Sequence, residues 1–279
     1  MEPRAYSNTP VGLNFLIAAY DYGKGEAGFD PSVPITDAHL HTDTELIAYS
    51  HSLDAWTRSA KFDVVMPVVS LGGSALVTGQ SRTRDISGLG DPQVKFAINL
   101  FGAPAMSLKE FRDFRQDLIV GASLKVSAPW GQYDSTKLIN IGTNRWSFKP
   151  ELGVSKALDP WTFDLYAGFT LYTENTDFFN GGTLRQDPIY SAQAHVMRSF
   201  PRGIWVALDA TYYWGGRTTV NDLRTATLQA NSRFGTTFAL PLNRYMSIKA
   251  YAAAGTSTRT HSNFNNAGIA WQYRWGSGF

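Results

Sequence analysis

Apolar and polar residues alternate with a period of two along almost the whole chain. Successive side chains of a β-strand point to opposite faces of a sheet, so this alternation predicts strands that are apolar on one face only. Clusters of Gly, Pro, Asn and Asp divide the pattern into about twelve runs. Helical periodicity is nearly absent, and the sequence therefore predicts an all-β protein.

The charged and imidazole side chains of these runs lie on the parity opposite to the apolar residues. We expect this set to share one face of the sheet: His39, His41, Asp43, Glu45, Lys61, Asp63, Lys95, Asp117, Lys125, Lys149, Glu151, Asp164, His195, Asp209, Arg233, Lys249 and Arg274. In the second run this assignment puts Leu40, Thr42, Thr44, Leu46 and Ala48 on the apolar face. A soluble sandwich would alternate in the same way, because its apolar face packs on a second sheet.

The connections between the runs favour a membrane barrel over a sandwich. Long polar connections are expected at 23–36, 72–91, 128–144, 173–187 and 256–264, and short ones at 156–160, 199–203 and 239–244. Long loops at one end and tight turns at the other are typical of outer-membrane barrels. The 102–116 connection is an exception, being long at the short-turn end. It predicts a helix over 107–115, because Ser107 and Glu110 have the spacing of a capping box.

Aromatic residues concentrate where the apolar runs end, as expected for rings at two membrane interfaces. We place Trp146, Tyr190, Tyr212 and Trp214 at the long-loop end, and Trp161, Phe238, Tyr245, Tyr273 and Trp275 at the short-turn end. The last run finishes at Phe279, similar to the sorting signal of outer-membrane proteins, although Ser277 departs from that pattern. The prediction is a transmembrane, antiparallel, up-and-down β-barrel of about 12 strands, formed by residues 11–279 as a single domain.

Composition excludes several other classes. The 279 residues contain no cysteine, which excludes disulfides and a cysteine nucleophile, and the net charge of +2 is too small to indicate a nucleic-acid partner. No stretch reaches the roughly 18 apolar residues of a membrane-spanning helix. Residues 1–4 lack the apolar region of a secretory leader, so we expect either a cytoplasmic protein or a mature outer-membrane chain without its leader.

Residues 1–10 precede the first strand and contain Pro3 and Pro10. We expect them to form an N-terminal periplasmic segment. Two arrangements remain open: the segment extends below the barrel, or it folds into the lumen as a stopper.

Several stretches resemble one protein family: 3–6, 10–14, 88–92, 129–134, 140–146, 173–178, 213–216 and 271–275. The chain resembles the outer-membrane proteins of the putative meta-pathway of phenol degradation family. The resemblance implies an outer-membrane β-barrel of a Gram-negative bacterium that transports aromatic or other small apolar compounds. It transfers no site residue.

A barrel of about twelve strands would have a narrow lumen partly filled by polar side chains. The leading hypothesis is a porin-like channel for passive uptake of small solutes, without cofactors. The alternatives are a structural or partner-binding barrel with a closed lumen, and a soluble β protein. The expected partners are small-molecule solutes, outer-membrane lipid and lipopolysaccharide, and, during biogenesis, the outer-membrane assembly machinery.

Within the lumen, Lys95, Lys125 and Lys149 are predicted to form a basic arc, and Arg233, Lys249 and Arg274 a second basic group. Such groups could attract carboxylate-bearing solutes such as aromatic acids, or could simply brace the barrel through ion pairs with residues such as Glu151 and Asp164.

Two further groups of polar side chains could form sites. His39, His41, Asp43 and Glu45 on one strand could bind a divalent metal, but one strand seldom supplies a full ligand set, and a solvated face is the alternative. His195 with Ser191 or Gln193 is the only partial catalytic group on a strand. We expect no enzyme activity.

Overall fold

The computed structural model describes residues 2–26, 35–77, 79–257, 263–276 and 278. The described elements are, in chain order, β1 (Leu13–Glu26), β2 (Ile35–Ala55), β3 (Arg58–Val77), β4 (Gln80–Leu89), β5 (Gln93–Phe101), α1 (Leu108–Phe111), β6 (Leu118–Ser127), β7 (Ser147–Leu158), β8 (Trp161–Tyr172), β9 (Asn175–Phe178), β10 (Gly182–Gln186), β11 (Ile189–Ser199), a 3₁₀ turn (Pro201–Gly203), β12 (Trp205–Gly215), β13 (Thr218–Val220), β14 (Leu223–Arg224), β15 (Gln229–Pro241), β16 (Met246–Ser257) and β17 (Asn263–Gly276).

Antiparallel neighbours close the large sheet into a cylinder. The order is β2-β1-β17-β16-β15-β12-β11-β8-β7-β6-β5-β3, and β3 pairs with β2. The strands β4 and β5 pair with successive parts of β3 and together occupy one position in the wall. The prediction of an all-β barrel of about twelve strands is therefore confirmed: the barrel has 12 strands. Closure satisfies the backbone N–H and C=O groups where lipid offers no hydrogen bonds.

Alternate side chains face outward and inward, and β12 shows the contrast clearly. The side chain of Leu208 is 66% exposed, whereas its neighbours Ala207 and Asp209 are 0% and 4% exposed. In β8, Leu165 is likewise exposed beside the buried Asp164. An apolar exterior with polar groups inside is the arrangement expected of a membrane barrel.

The predicted face of β2 is wrong. Ile47 and Tyr49 are exposed, while Ala48 and Ser50 are buried, so odd-numbered residues point outward in this strand. The register pairs Glu45 with Tyr20, which is also exposed. The side chains assigned to the lumen, His39, His41, Asp43 and Glu45, therefore lie on the outer face.

The length of β2 and β3 explains this error. They contain 21 and 20 residues, whereas crossing the membrane takes about 9–11 residues per strand. The short-turn end of β2 crosses the membrane, and the part around 35–44 belongs to a hairpin that extends beyond it. Polar residues can occupy the outer face there. The prediction of a loop at 72–91 is wrong for the same reason. Val77 of β3 pairs with Gln80 of β4, and these two strands continue through most of that range.

Ring contacts group the aromatic residues at the two ends of the barrel as predicted. Tyr190 and Tyr212 both stack on Trp214, with centroids 5.5 and 5.7 Å away. At the short-turn end Tyr273 stacks on Trp275 at 5.6 Å. These rings are amphipathic and suit the level of the lipid head groups.

A short helix interrupts the 102–116 connection, as predicted, although it spans only Leu108–Phe111. Both hydrogen bonds of the Ser107–Glu110 capping box are present. These bonds from the Ser107 side chain and backbone lower the pKa of Glu110. Within the described part of the chain, no helix is long and apolar enough to span a membrane.

A second, small sheet lies among the long loops and has the order β14-β13-β10-β9. It is built from the predicted 173–187 connection and residues 218–224. The long-loop end of the barrel is thus folded rather than open coil at these positions.

Candidate functional site in the barrel lumen

Residues 2–10, called the N-terminal segment below, lie inside the lumen. Tyr6 is 1% exposed, and the Ala5 carbonyl oxygen accepts a 2.8 Å hydrogen bond from Lys61 Nζ in β3. The Arg4 backbone N–H donates to Asp164 Oδ2 in β8 at 3.0 Å. Of the two arrangements left open by the sequence, the structure therefore has the segment folded into the barrel.

The segment enters from the short-turn end. The Pro10 carbonyl oxygen accepts a hydrogen bond from Ser52 Oγ, and the Thr9 carbonyl oxygen accepts one from Ser59 Oγ. Ser52 and Ser59 flank the tight turn between β2 and β3. The segment has no strand pairing of its own, so side-chain contacts hold it in place.

The Tyr6 ring occupies a site that we call the Tyr6 seat, formed by Gly121, Gly153 and Tyr166. A Cβ atom at either glycine would overlap the ring, and at Gly153 it would also come within 2.7 Å of Tyr166 Cδ1. The two tyrosine rings meet edge to face at 5.1 Å. The Tyr6 hydroxyl lies 3.0 Å from Ser123 Oγ and 3.3 Å from Glu151 Oε1.

Lys95, Lys125 and Lys149 form one row across β5, β6 and β7, because the register pairs Lys95 with Lys125 and Lys125 with Lys149. We call this row the lysine arc, and it reproduces the neighbourhood expected from the sequence. Like charges in adjacent positions repel, so the arc requires anions nearby.

Two carboxylates face the lysine arc. Lys95 Nζ lies 2.8 Å from Glu2 Oε2, and Lys149 Nζ lies 2.8 Å from Glu151 Oε2. Gln193 Nε2 also donates to Glu151 Oε2 at 3.0 Å. Lys125, the middle member, makes no direct hydrogen bond or ion pair with another described residue.

A cavity of about 140 Å³ lies against the arc. Its lining contains the three lysines, Glu2, Glu151, Ser123, Tyr166, Gln193 and Tyr213. A larger hollow of about 850 Å³ is lined mainly by outward-facing residues, including Ala252, Ala254 and Phe234. Of these two cavities, the lumen cavity combines charged groups with enclosure, and it is the candidate site.

Below the cavity, Asp164, His195 and Asp209 are paired across β8, β11 and β12 and are buried. His195 Nδ1 and Asp209 Oδ1 are 2.6 Å apart, and Thr237 Oγ1 donates to Asp209 Oδ2 at 2.8 Å. The Tyr166 hydroxyl donates to Asp164. These contacts link the barrel wall to the N-terminal segment through Asp164.

The catalytic grouping around His195 is not formed. Ser191 Oγ donates to the Gly168 carbonyl oxygen and Gln193 bonds Glu151, so neither bonds the imidazole. The structure gives no support to the metal hypothesis either. In the described ranges, no group of three or more His, Asp or Glu side chains could hold an ion.

Four further predicted positions need correction or detail. Asp117 is exposed just before β6, where it pairs with Lys156 on the outer face, so it does not line the lumen. Arg233 bonds Asn266 near the long-loop end, while Arg274 Nε donates to the Arg244 carbonyl oxygen in a short turn. Lys249 lies opposite Ala239 of β15, which is six residues along that strand from Arg233. This spacing separates Ala239 from Arg233 by about 20 Å. The second basic group is therefore dispersed.

The long loops are tied down by residues of the stretches that carry the family resemblance. The Asp91 carboxylate accepts hydrogen bonds from the backbone N–H of Gly131 and of Thr143, each 2.9 Å long, and from Thr143 Oγ1 at 2.6 Å. The buried Asn175 bonds Asn144 and Tyr133, both at 2.9 Å. These contacts fix the 128–146 loop at the long-loop end.

Sequence reasoning missed Glu2, Arg4 and Tyr6 as site residues. The available signal was the 3–6 stretch, which carries part of the resemblance but belongs to no strand. The relevant contacts depend on which lumen wall the segment reaches, and periodicity does not contain that information.

The fold and the site define a class: a membrane-spanning β-barrel of the outer-membrane type, with a polar lumen that its own N-terminal segment enters. A family model described as "Putative MetA-pathway of phenol degradation" matches residues 22–273, and the chain belongs to this family. A comparison with curated proteins gives no match.

Solved structures share the fold. An outer membrane channel from Pseudomonas putida F1 superposes with a TM-score of 0.84 at 18% identity, covering 99% of this chain and 100% of that one. The β domain of the Bordetella autotransporter BrkA gives a TM-score of 0.59 at 11% identity, with 95% and 100% covered. The transport unit of the Escherichia coli autotransporter AIDA-I gives 0.57 at 8% identity, with 98% and 92% covered.

Proposed function

We propose that this protein is an outer-membrane channel for passive uptake of small solutes, with aromatic or other small apolar compounds as its cargo. In this proposal residues 11–279 make up the barrel domain, and residues 2–10 enter it from the periplasmic, short-turn end. The polar lumen residues Lys61, Asp63, Lys95, Lys125, Lys149, Glu151, Asp164, His195, Asp209, Arg233 and Lys249 line the path or brace it. The names of the family and of the Pseudomonas putida channel support this proposal.

The observation that carries the proposal is the way the lumen is filled. A segment without strand pairing occupies its short-turn half, and a cavity remains above it beside the lysine arc. A segment held by side chains can move without breaking the wall, whereas a barrel plugged by its own strands cannot. Residues 2–10 therefore serve as a removable restriction.

The same segment also favours the second candidate, a barrel whose lumen stays closed. The Tyr6 seat is tightly packed, and the segment bridges β3 to β8. In that case the folded long loops would carry the function through contacts with a partner. The two candidates differ in whether ions and solutes cross the barrel.

Planar-bilayer recordings test the proposal on the full chain and on a variant lacking residues 2–9. A channel gives measurable conductance for the full chain and a larger one for the deletion variant. A folded full chain without conductance, whose deletion variant conducts, would show that the native lumen is closed. Heat-modifiable migration on gels confirms that both proteins are folded barrels.

A further inference from the structure

We propose that the cavity beside the lysine arc is a binding site for a small monocarboxylate, and that the Glu2 side chain is its resident internal ligand. The inference rests on the proposed function, because a solute reaches this cavity only through the lumen. It specifies the chemical class of the solute, and it implies that the solute competes with Glu2 of the N-terminal segment for the lysine arc.

The charge of the cavity lining sets the charge of the ligand. Three ammonium groups, from Lys95, Lys125 and Lys149, face two carboxylates, from Glu2 and Glu151. One positive charge remains, and its natural location is Lys125, the member without a direct partner among the described residues. A single monoanion neutralises the site, while a dication or a neutral solute does not.

The shape of the cavity sets the size of the ligand. Its volume of about 140 Å³ is close to that of a cavity that holds one benzene ring, about 150 Å³. Tyr166 and Tyr213 contribute aromatic side chains to the lining, and Ser123 and Gln193 contribute hydrogen-bonding groups. A carboxylate on one aromatic ring suits this combination.

The segment itself shows how a carboxylate is held here. Glu2 lies at the inner end of the N-terminal segment and bonds Lys95 of the arc at 2.8 Å. Its side chain is 69% exposed, so water or a solute can reach the carboxylate. An incoming carboxylate has the same bonding capacity as Glu2 and competes for the same ammonium groups.

Isothermal titration of the full chain in detergent tests this inference, with sodium benzoate as the probe and benzamide as its neutral counterpart. We expect benzamide to bind at least about tenfold more weakly, because it cannot replace a charge-assisted hydrogen bond. Equal binding of the two probes overturns the inference.

Three variants sharpen the test. Lys125→Gln shortens the side chain by one atom, keeps a polar end group and removes the charge, so benzoate binding should weaken about tenfold or more. Glu2→Gln removes the internal competitor, so benzoate should bind more tightly. Lys109→Gln on α1 makes the same chemical change at an exposed position outside the lumen and should leave binding unchanged.

Unaltered benzoate affinity in folded Lys125→Gln, or weaker affinity in Glu2→Gln, would refute the assignment. Should Lys125→Gln fail to fold, Glu2→Gln and the comparison of probes still decide. Binding of benzoate to a barrel without conductance would defeat the proposed function and leave this site standing. Conductance without selective benzoate binding would defeat this site and leave the proposed channel function standing.

Discussion

Gly153→Ala is expected to expel the Tyr6 ring from its seat, because the added methyl group would occupy the space of the ring. A Cβ at this position overlaps Tyr6 and approaches Tyr166 Cδ1 to 2.7 Å. Tyr166 is itself buried in the wall and bonds Asp164, so it has little room to yield. Tyr6 belongs to a segment without strand pairing, so its ring is the part expected to move.

The size of the effect follows from what Tyr6 loses. Burial of a large side chain contributes about 1.5–3 kcal/mol, and the Tyr6 hydroxyl also bonds Ser123 and Glu151, each bond contributing about 0.5–1.5 kcal/mol. Allowing for relaxation, the seated state loses about 2–4 kcal/mol. The ratio of seated to unseated segment then falls about 30-fold to about 1,000-fold.

Single-channel recording measures the outcome. Gly153→Ala should raise the conductance toward that of the variant lacking residues 2–9. Gly121→Ala, in the adjacent strand, should act in the same direction, because a Cβ there lies 2.9 Å from Tyr6 Cγ. In a double-mutant cycle, Tyr6→Ala should add little once Gly153 has been replaced. Wild-type conductance in a folded Gly153→Ala barrel would refute the reasoning.

Three further changes have defined outcomes. Asp91→Asn should lower the hydrogen-exchange protection of the 128–146 loop at least about tenfold, because charge-assisted bonds to the loop are weakened. Ser107→Ala should raise the pKa of Glu110 toward its ordinary value, which carbon NMR can follow. Because the native pKa is lowered, the capping box stabilises α1 fully above about pH 4.3, the ordinary pKa of Glu. This stabilisation is lost as the pH falls through the native pKa. Asp209→Ala should destabilise the barrel by about 2–3 kcal/mol in urea unfolding, since it leaves the buried His195 imidazole and the Thr237 hydroxyl without their hydrogen-bond partner.

Two of these changes have a matched control. Asp222→Asn removes an exposed carboxylate that bonds Arg185 and should leave exchange in the 128–146 loop unchanged. Thr237→Val removes one hydrogen bond from Asp209 and should cost about 0.5–1.5 kcal/mol. Loop protection that survives Asp91→Asn, a Glu110 pKa that is insensitive to Ser107→Ala, or equal losses for the Asp209 and Thr237 variants would contradict the respective arguments.

The wall of the barrel could be predicted from the sequence wherever a strand is about as long as the membrane is thick. Lipid selects apolar side chains at every second position of such a strand, and the outward residues of β8 show this without interruption. The same alternation predicts that Lys95, Lys125 and Lys149 lie on one face of the sheet. The order of the hairpins then predicts that the three residues lie on adjacent strands.

The outer face of β2 could not be predicted, because two environments act on one continuous strand. Near the short turn the outer face carries Ile47 and Tyr49, which suit lipid, whereas farther along the same face carries His39 and His41, which suit water. The inner residues in the membrane part, such as Ala48, are small and apolar as well. The hydropathy of the outer face therefore changes from apolar to polar along the strand, whereas the odd-numbered side chains point outward in both parts.

The N-terminal segment escaped prediction for a different reason, which also bears on what the family shares. A wall of alternating residues can be built from many apolar sequences, so its composition need not resemble that of a relative. The stretches that carry the resemblance include 3–6, which contains Tyr6, and those with Asp91 and Asn175, which bind the long loops. These residues are specified by contacts inside or across the ends of the lumen, where one side chain must fit one partner. Changes at these residues should therefore alter passage before they alter the barrel.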